Sequence, residues 1–236
     1  MNAALTIAKR EIRTYFNSPI AYIVVTVFML LAGYLFFGSL FIERQADLRS
    51  YFNFQPMLFS FIVPAIAMRL IAEEKGGGTL EMLVTMPVRD WQIVTGKFLA
   101  GMTVLATLVG LTVLYAVTVA LLGPLDRGPA IGGYLGLLLM GGAYMAIGVM
   151  ASSFTRNQII AFIIAFAISF ALFLFQHLIQ IAPQVLRPVL SYLSIEAHFE
   201  SISRGIIDTR DVIYYLSVMV VSLVIATVSL ESRKWK

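Results

Sequence analysis

Residues 157–186 read NQIIAFIIAFAISFALFLFQHLIQIAPQVL, thirty positions without a single Asp, Glu, Lys or Arg. Crossing about 30 Å of hydrocarbon as a helix takes about 20 apolar residues, so this run is long enough to span a bilayer. Five further uncharged runs pass the same test: 14–42, 50–68, 98–125, 128–155 and 212–230. In lipid the backbone must satisfy its own hydrogen bonds, so each run is read as a helix. Trimmed at turn signals, the expected spans are 19–42, 54–71, 98–122, 131–152, 158–181 and 212–231. Composition agrees. The chain has 236 residues, 59% hydrophobic and 13% charged, against roughly 25% charged for a soluble domain. Few charges and many aromatics also exclude disorder. Six spans leave no room for a soluble catalytic domain.

Loop cations orient the spans. Eleven of the seventeen Lys and Arg residues fall on one side: Lys9, Arg10, Arg13, Arg69, Lys75, Arg89, Lys97, Arg156, Arg233, Lys234 and Lys236. The other side holds six: Arg44, Arg49, Arg127, Arg187, Arg204 and Arg210. The richer side is expected to be cytoplasmic, with both termini on it. The net charge of +4 therefore reflects orientation; no basic stretch carries a nucleic-acid-reading motif. There is no cysteine, which removes disulfides, thiolate metal sites and cysteine nucleophiles. The N-terminus does not read as a cleaved signal, because its apolar run is too long and lacks a small-x-small site.

Residues 2–17 form an interfacial pattern. At 3.6 residues per turn, Leu5, Ala8, Ile12, Tyr15 and Phe16 share one face and Lys9, Arg10 and Arg13 another. The alternative is a polar flank that supplies orientation charge. Span two contains Pro56 and Pro64, tolerated where neighbours satisfy the freed carbonyls. Span four is rich in small residues, including Gly132-x-x-x-Gly136 and Gly142-x-x-x-Ala146, spacings that let backbones approach closely. Intrachain contact is favoured over a subunit contact.

Apart from Glu231 at the inner end of the sixth, no Asp, Glu or Lys lies in the six trimmed spans. Ion-coupled carriers usually mark their route with such groups, so energy is expected to enter from outside the bilayer. The segment 72–97 suits that role. Gly76-Gly77-Gly78 ends the helix that extends span two, Thr79 can cap a new one with Glu81 in its first turn, and Pro87 stops it. Asp90 can cap the helix that feeds span three. Leu80, Leu83 and Val84 make an apolar stripe, which spacing alone assigns equally to a partner's groove or to the chain's own surface. A Walker loop needs G-x-x-x-x-G-K-[ST]; neither the triple glycine nor Gly96-Lys97-Phe98 fits, so no nucleotide site is expected here.

Glu73-Glu74-x-x-x-Gly78-Thr79-Leu80-Glu81-x-Leu83-x-x-x-Pro87, followed by Ile93-Val94-x-Gly96-Lys97-Phe98, resembles the signature of ABC-2 type transporter permeases. Four further segments resemble the gliding-motility-associated ABC permease subfamily. They are Glu11-Ile12-x-x-Tyr15-Phe16-x-Ser18-Pro19-Ile20-Ala21-Tyr22, Pro64-Ala65-Ile66-Ala67-Met68-Arg69, Asn157-Gln158-Ile159-Ile160-Ala161-Phe162, and His198-Phe199-x-x-Ile202-x-Arg204-Gly205-Ile206-Ile207-Asp208-x-Arg210-Asp211. The resemblance implies an all-α polytopic membrane fold filling 1–236 as one transmembrane domain. Its parts would be an amphipathic connecting helix (1–18), spans 1–2 (19–71), a cytoplasmic coupling region (72–97), spans 3–5 (98–182), an external segment of short helices (183–211), and span 6 with its tail (212–236). Glu73, Glu74, Gly78, Thr79, Leu80, Glu81, Leu83 and Pro87 would be the ATPase-coupling positions, with Lys9, Arg10 and Arg13 on the connecting helix. The implied partners are a dimer of ABC ATPase subunits carrying the ATP and Mg, a second permease copy or relative, the bilayer and, for the subfamily, a large membrane-anchored extracytoplasmic subunit. The implied place is a bacterial inner membrane, and the implied work is export or extraction of a membrane amphiphile.

In the external segment, His198, Arg204, Asp208 and Asp211 are carried over as candidate positions. Read as residues, Asp208, Arg210 and Asp211 make a helix start, His177 a satisfied polar group near the interface, and Glu196-x-His198-x-Glu200 a poor metal site, since i and i+2 diverge on a helix. Two other classes compete. An ABC-derived anchor could transmit ATP-driven motion to an extracytoplasmic or motility partner without moving a substrate. An intramembrane hydrolase would need Ser169 and His177 within reach, and eight residues of helix hold them about 12 Å apart.

Overall fold

The computed structural model describes residues 3–43, 47–79 and 88–232. Among them are ten helices and no strand: α1 (Ala3–Phe16), α2 (Pro19–Glu43), α3 (Arg49–Ala67), α4 (Arg69–Gly76), α5 (Asp90–Leu122), α6 (Arg127–Phe154), α7 (Gln158–Leu178), α8 (Arg187–Leu193), α9 (Ile195–Ser203) and α10 (Thr209–Glu231). Six helices are long and apolar enough to cross a membrane: α2, the joined pair α3–α4, α5, α6, α7 and α10. Their outer faces carry bare apolar side chains such as Tyr34, Phe41 and Leu121, each more than 70% exposed. A surface of that kind is stable against lipid and not against water. The chain is a multi-pass membrane protein.

Helix α6 is the centre of the bundle. It contacts α3, α4, α5, α7, α9 and α10, and every residue from Met140 to Ser153 is buried. Its small residues make this possible. Gly132 lies against the Ile202 carbonyl, Gly136 against the Phe199 ring, Gly133 against Phe52, Gly142 against Met219 and Gly148 against Ala67. A Cβ at Gly141 would sit 2.6 Å from Leu105 Cδ2. The Gly132-x-x-x-Gly136 pair is thus filled by α9 of the same chain.

The second span is one helix with a break at Met68. Pro64 leaves the carbonyl one turn back without its usual donor, and one turn further on, at Met68, the helix breaks and its ladder needs help. That help is Ser152 on α6. Its Oγ accepts from the amides of Ile71 (3.0 Å) and Ala72 (2.8 Å) and donates to the Met68 carbonyl (2.9 Å). One hydroxyl thus uses its donor and both lone pairs, standing in for the side-chain cap that Met68 lacks. Ser152→Ala is expected to destabilise the purified chain by about 1–3 kcal/mol, read as a lowered melting temperature. A melt unchanged from wild type would remove this role.

Helix α4 ends at the triple glycine, as the sequence indicates: the Gly77 amide donates to the Glu73 carbonyl at 2.9 Å, and Gly78 takes a left-handed φ of 70°. Helix α5 starts one residue earlier than a cap at Asp90 would allow. Arg89 is the N-cap, its amide donates to Gln92 Oε1 at 3.1 Å, and Asp90 is the first helical residue. The expected apolar face of α1 divides in two. Ala4, Ala8 and Tyr15 are buried, while Leu5 stays 59% exposed. The segment between α7 and α10 forms the two short helices expected of it, α8 and α9.

Candidate functional site

The end of the bundle that holds α1 and α4 contains a buried ion cluster. Helix α1 runs against the start of α5. The approach is close because residue 96 is glycine: a Cβ there would meet the Ala4 carbonyl at 2.7 Å and Ile7 Cβ at 2.9 Å. Lys97, the next residue, points into the junction. Its Nζ lies 2.8 Å from Glu11 Oε1 on α1 and 2.8 Å from Glu74 Oε2 on α4. The Lys97 side chain is 1% exposed, against 21% for Glu11 and 17% for Glu74. One ammonium therefore joins three helices, and neither carboxylate is left to face the other unbalanced.

A second contact runs beside the first. Arg69 Nε lies 2.9 Å from Glu73 Oε2, and its guanidinium sits over the Tyr15 ring, 5.4 Å from the centroid. Burial pushes the Tyr15 hydroxyl up to about 12, against the opposing pull of Arg69. Glu11 and Tyr15, one turn apart on α1, thus grip α5 and α4. A cavity of about 220 Å³ lies between these groups and is lined also by Arg10 and Thr79. The other side of α4 is tied to the end of α6. Lys75 Nζ donates to the Ser153 carbonyl, which also accepts from Ser229 Oγ on α10 at 3.2 Å. A cation at helix-end carbonyls is favoured by the helix dipole.

Of the sequence-derived coupling positions, Glu73 and Glu74 belong to this cluster. Gly78 and Thr79 follow it at the exit of α4, both exposed. Leu80, Glu81, Leu83 and Pro87 lie outside the described residues, and so does the expected coupling helix. The chain enters that stretch from α4 and leaves it through Val88 into α5, so both flanks are fastened to the same cluster. Lys9, Arg10 and Arg13 are exposed on α1.

In the sequence Lys97 is an orienting cation and part of the ABC-2 signature, and Glu11 part of the subfamily segment, but neither stands among the candidate site residues and nothing pairs them. One signal was available. On a helical wheel Glu11 falls among Ala4, Ala8 and Tyr15, and a lone acid on a buried stripe requires a buried cation.

The opposite end is held by histidines. His198 Nδ1 lies 2.7 Å from Asp211 Oδ1 and Nε2 lies 3.1 Å from the Tyr192 carbonyl. The ring stacks on Tyr214 at 4.0 Å between centroids. His177 Nδ1 lies 3.5 Å from Glu196 Oε2. Burial pushes the Glu196 carboxyl up, and His177 pulls it back. Both histidines of the chain therefore clamp α9, one to α7 and one to α10. Arg204 pairs with Glu200. Asp208 caps α10 through the Arg210 amide at 2.9 Å. Glu196, His198 and Glu200 thus reach three different partners. Among the described residues no group of three or more His, Cys, Asp or Glu side chains gathers as a metal site.

Comparison with known proteins gives one family. The family model described as ABC-2 family transporter protein matches residues 5–235. No curated protein matches the chain.

Proposed function

We propose a function from one premise: the chain belongs to the ABC-2 family of transporter proteins. As a member it is a transmembrane permease of an ABC transporter, a membrane component distinct from the ATPase it works with. Our reading is that residues 73–87 receive the ATPase and that ATP and Mg are bound on the partner, with none on this chain. Two permeases, copies or relatives, pair with two ATPases in a bacterial inner membrane. Both termini are cytoplasmic, and the work is export or extraction of an amphiphile. The gliding-motility subfamily, with a large extracytoplasmic subunit, is the finer assignment we favour from the segments around Tyr15, Pro64, Asn157 and His198.

The Glu11–Lys97–Glu74 cluster carries this reading. A force applied to 80–87 enters the bundle through α4 and α5, and the ammonium that α5 carries binds Glu74 of α4 and Glu11 of α1. Buried ions exchange partners only at high cost, so α1, α4 and α5 move as one piece. Such a junction converts a push on a short cytosolic segment into motion of two spans.

The test uses the permease reconstituted with its ATPase. Leu83→Asp or Glu81→Arg is expected to lower transport-coupled ATP hydrolysis at least tenfold, while the melting temperature of the chain alone stays at the wild-type value. The chain alone should hydrolyse no ATP. Normal coupled turnover in either variant would overturn the assignment of 73–87.

A further inference from the structure

Helix α1 has three strips. One faces α5 and α4: Ala4, Ala8 and Tyr15 are buried there and Glu11 is half-buried among them. The next, one step round the wheel, is apolar and partly or fully exposed: Leu5, Ile12 and Phe16. The third is cationic: Lys9, Arg13 and Arg10. A surface groove of about 390 Å³ runs along this third strip, lined by Thr6, Lys9, Arg10, Arg13, Thr14 and Asn17. Among the described residues no carboxylate lines it. The single acid of α1 is turned inward, spent on Lys97, so the outer face of the helix carries three cations and no acid of its own.

We propose that this groove is a binding site for the phosphate headgroup of an anionic phospholipid. Two residues, Asn17 and Ser18, separate α1 from a 23-residue apolar span, Pro19–Phe41, so the groove lies at the bilayer surface. Arginine and lysine donate charge-assisted hydrogen bonds to phosphate oxygens, while Thr6 and Asn17 offer neutral donors beside them. On the neighbouring strip the exposed Leu5 and the half-buried Ile12 supply the apolar half that a headgroup with acyl chains needs and a free phosphate does not, while Phe16 packs back on the core. An acidic protein surface would satisfy the cations but leave that strip bare. Each surface cation adds about fivefold to affinity for an anionic membrane, so three acting together give on the order of a hundredfold. The inference rests on the membrane-spanning fold and on the inward turn of Glu11, and is independent of the coupling role.

The experiment purifies the full chain from vesicles of equal parts phosphatidylglycerol and phosphatidylcholine and measures the ratio of the two lipids that it retains. Wild type is expected to be enriched in phosphatidylglycerol. The triple variant Lys9→Gln, Arg10→Gln, Arg13→Gln should return to the input ratio with an unchanged melting temperature, since all three side chains are exposed. Leu5→Gln should weaken retention of both lipids. Enrichment that survives in the triple variant, or is absent in wild type, overturns the proposal. So does displacement of phosphatidylglycerol by inorganic phosphate, which would give the groove to a free anion. Loss of ATPase binding with lipid retention intact would give it to the partner. A variant that loses lipid and still supports coupled turnover leaves the coupling assignment standing.

Discussion

Lys97→Ala is expected to cost on the order of 3 kcal/mol of stability. Removing one partner of a buried ion pair typically costs about 3–5 kcal/mol, because a charge is left buried without its counter-ion. Here two carboxylates lose theirs, and they come from different helices. Both keep roughly a fifth of their side chains in contact with solvent, so water offsets part of the cost and the lower end of the range applies. For a chain of this size a 3 kcal/mol loss corresponds to a melting temperature roughly 6–12 °C lower.

The functional loss should be greater than the thermal one. Freed of Lys97, α1 keeps its close packing on α5 and the Tyr15–Arg69 contact, but α4 loses the ionic tie through Glu74 that joined it to both. A push through α4 then no longer moves α1 and α5 together, and coupled ATP hydrolysis should fall at least as far as in Leu83→Asp. The combination Lys97→Met, Glu11→Gln and Glu74→Gln separates the two effects. Stability should recover, since no buried charge remains, while coupling should stay impaired. A Lys97→Ala protein that melts within about 2 °C of wild type would mean that the cluster does not hold the helices.

The spans could be read from the sequence because lipid imposes a simple demand. A stretch that must shed its charges to enter hydrocarbon shows itself as an uncharged run, and all six runs became membrane-length helices. The ends were read less well for the same reason. Span three was placed at 98–122, yet α5 begins at Asp90. Span two was started at 54, yet α3 begins at Arg49. Hydropathy sees where lipid begins; a helix continues into the headgroups as long as its hydrogen bonds are met.

The ion cluster and the Ser152 cap were out of reach because their partners are distant in sequence. Glu11 and Lys97 are 86 residues apart, and Ile71 and Ser152 are 81 apart. Nothing local to Lys97 shows which acids it meets. The glycines of α6 were visible as small residues, but which helix filled each gap was not. Only the folded chain shows α9 seated in the Gly132–Gly136 pair. The histidines illustrate the same limit. His177 reads as a polar residue near an interface and His198 as a candidate position of the external segment; their shared purpose, to fasten α9 from two sides, required the positions of Glu196 and Asp211.

Gly148→Ala is expected to be at least as damaging to stability as Lys97→Ala, and the argument turns on comparing two opposed terms. Alanine in place of a helical glycine gains up to about 1 kcal/mol from backbone propensity. At Gly110 nothing stands within 4 Å of the new Cβ, so Gly110→Ala should collect that gain. At Gly148 the new Cβ overlaps the Cβ of Ala67 on α3. Neither atom has a rotamer to change, so the helices must separate, which costs about 1–3 kcal/mol or more. Ser152 lies one turn further along α6, and separation at Gly148 also pulls its Oγ away from Ile71, Ala72 and Met68. The terms add to a net loss of about 3 kcal/mol or more, against a neutral or stabilising Gly110→Ala. The decisive measurement is the exchange Gly148→Ala with Ala67→Gly, which moves the methyl group from α3 to α6 and leaves the gap the same size. Most of the lost stability should return. An exchange that rescues nothing would place the damage within α6 itself and not in the seam where it meets α3.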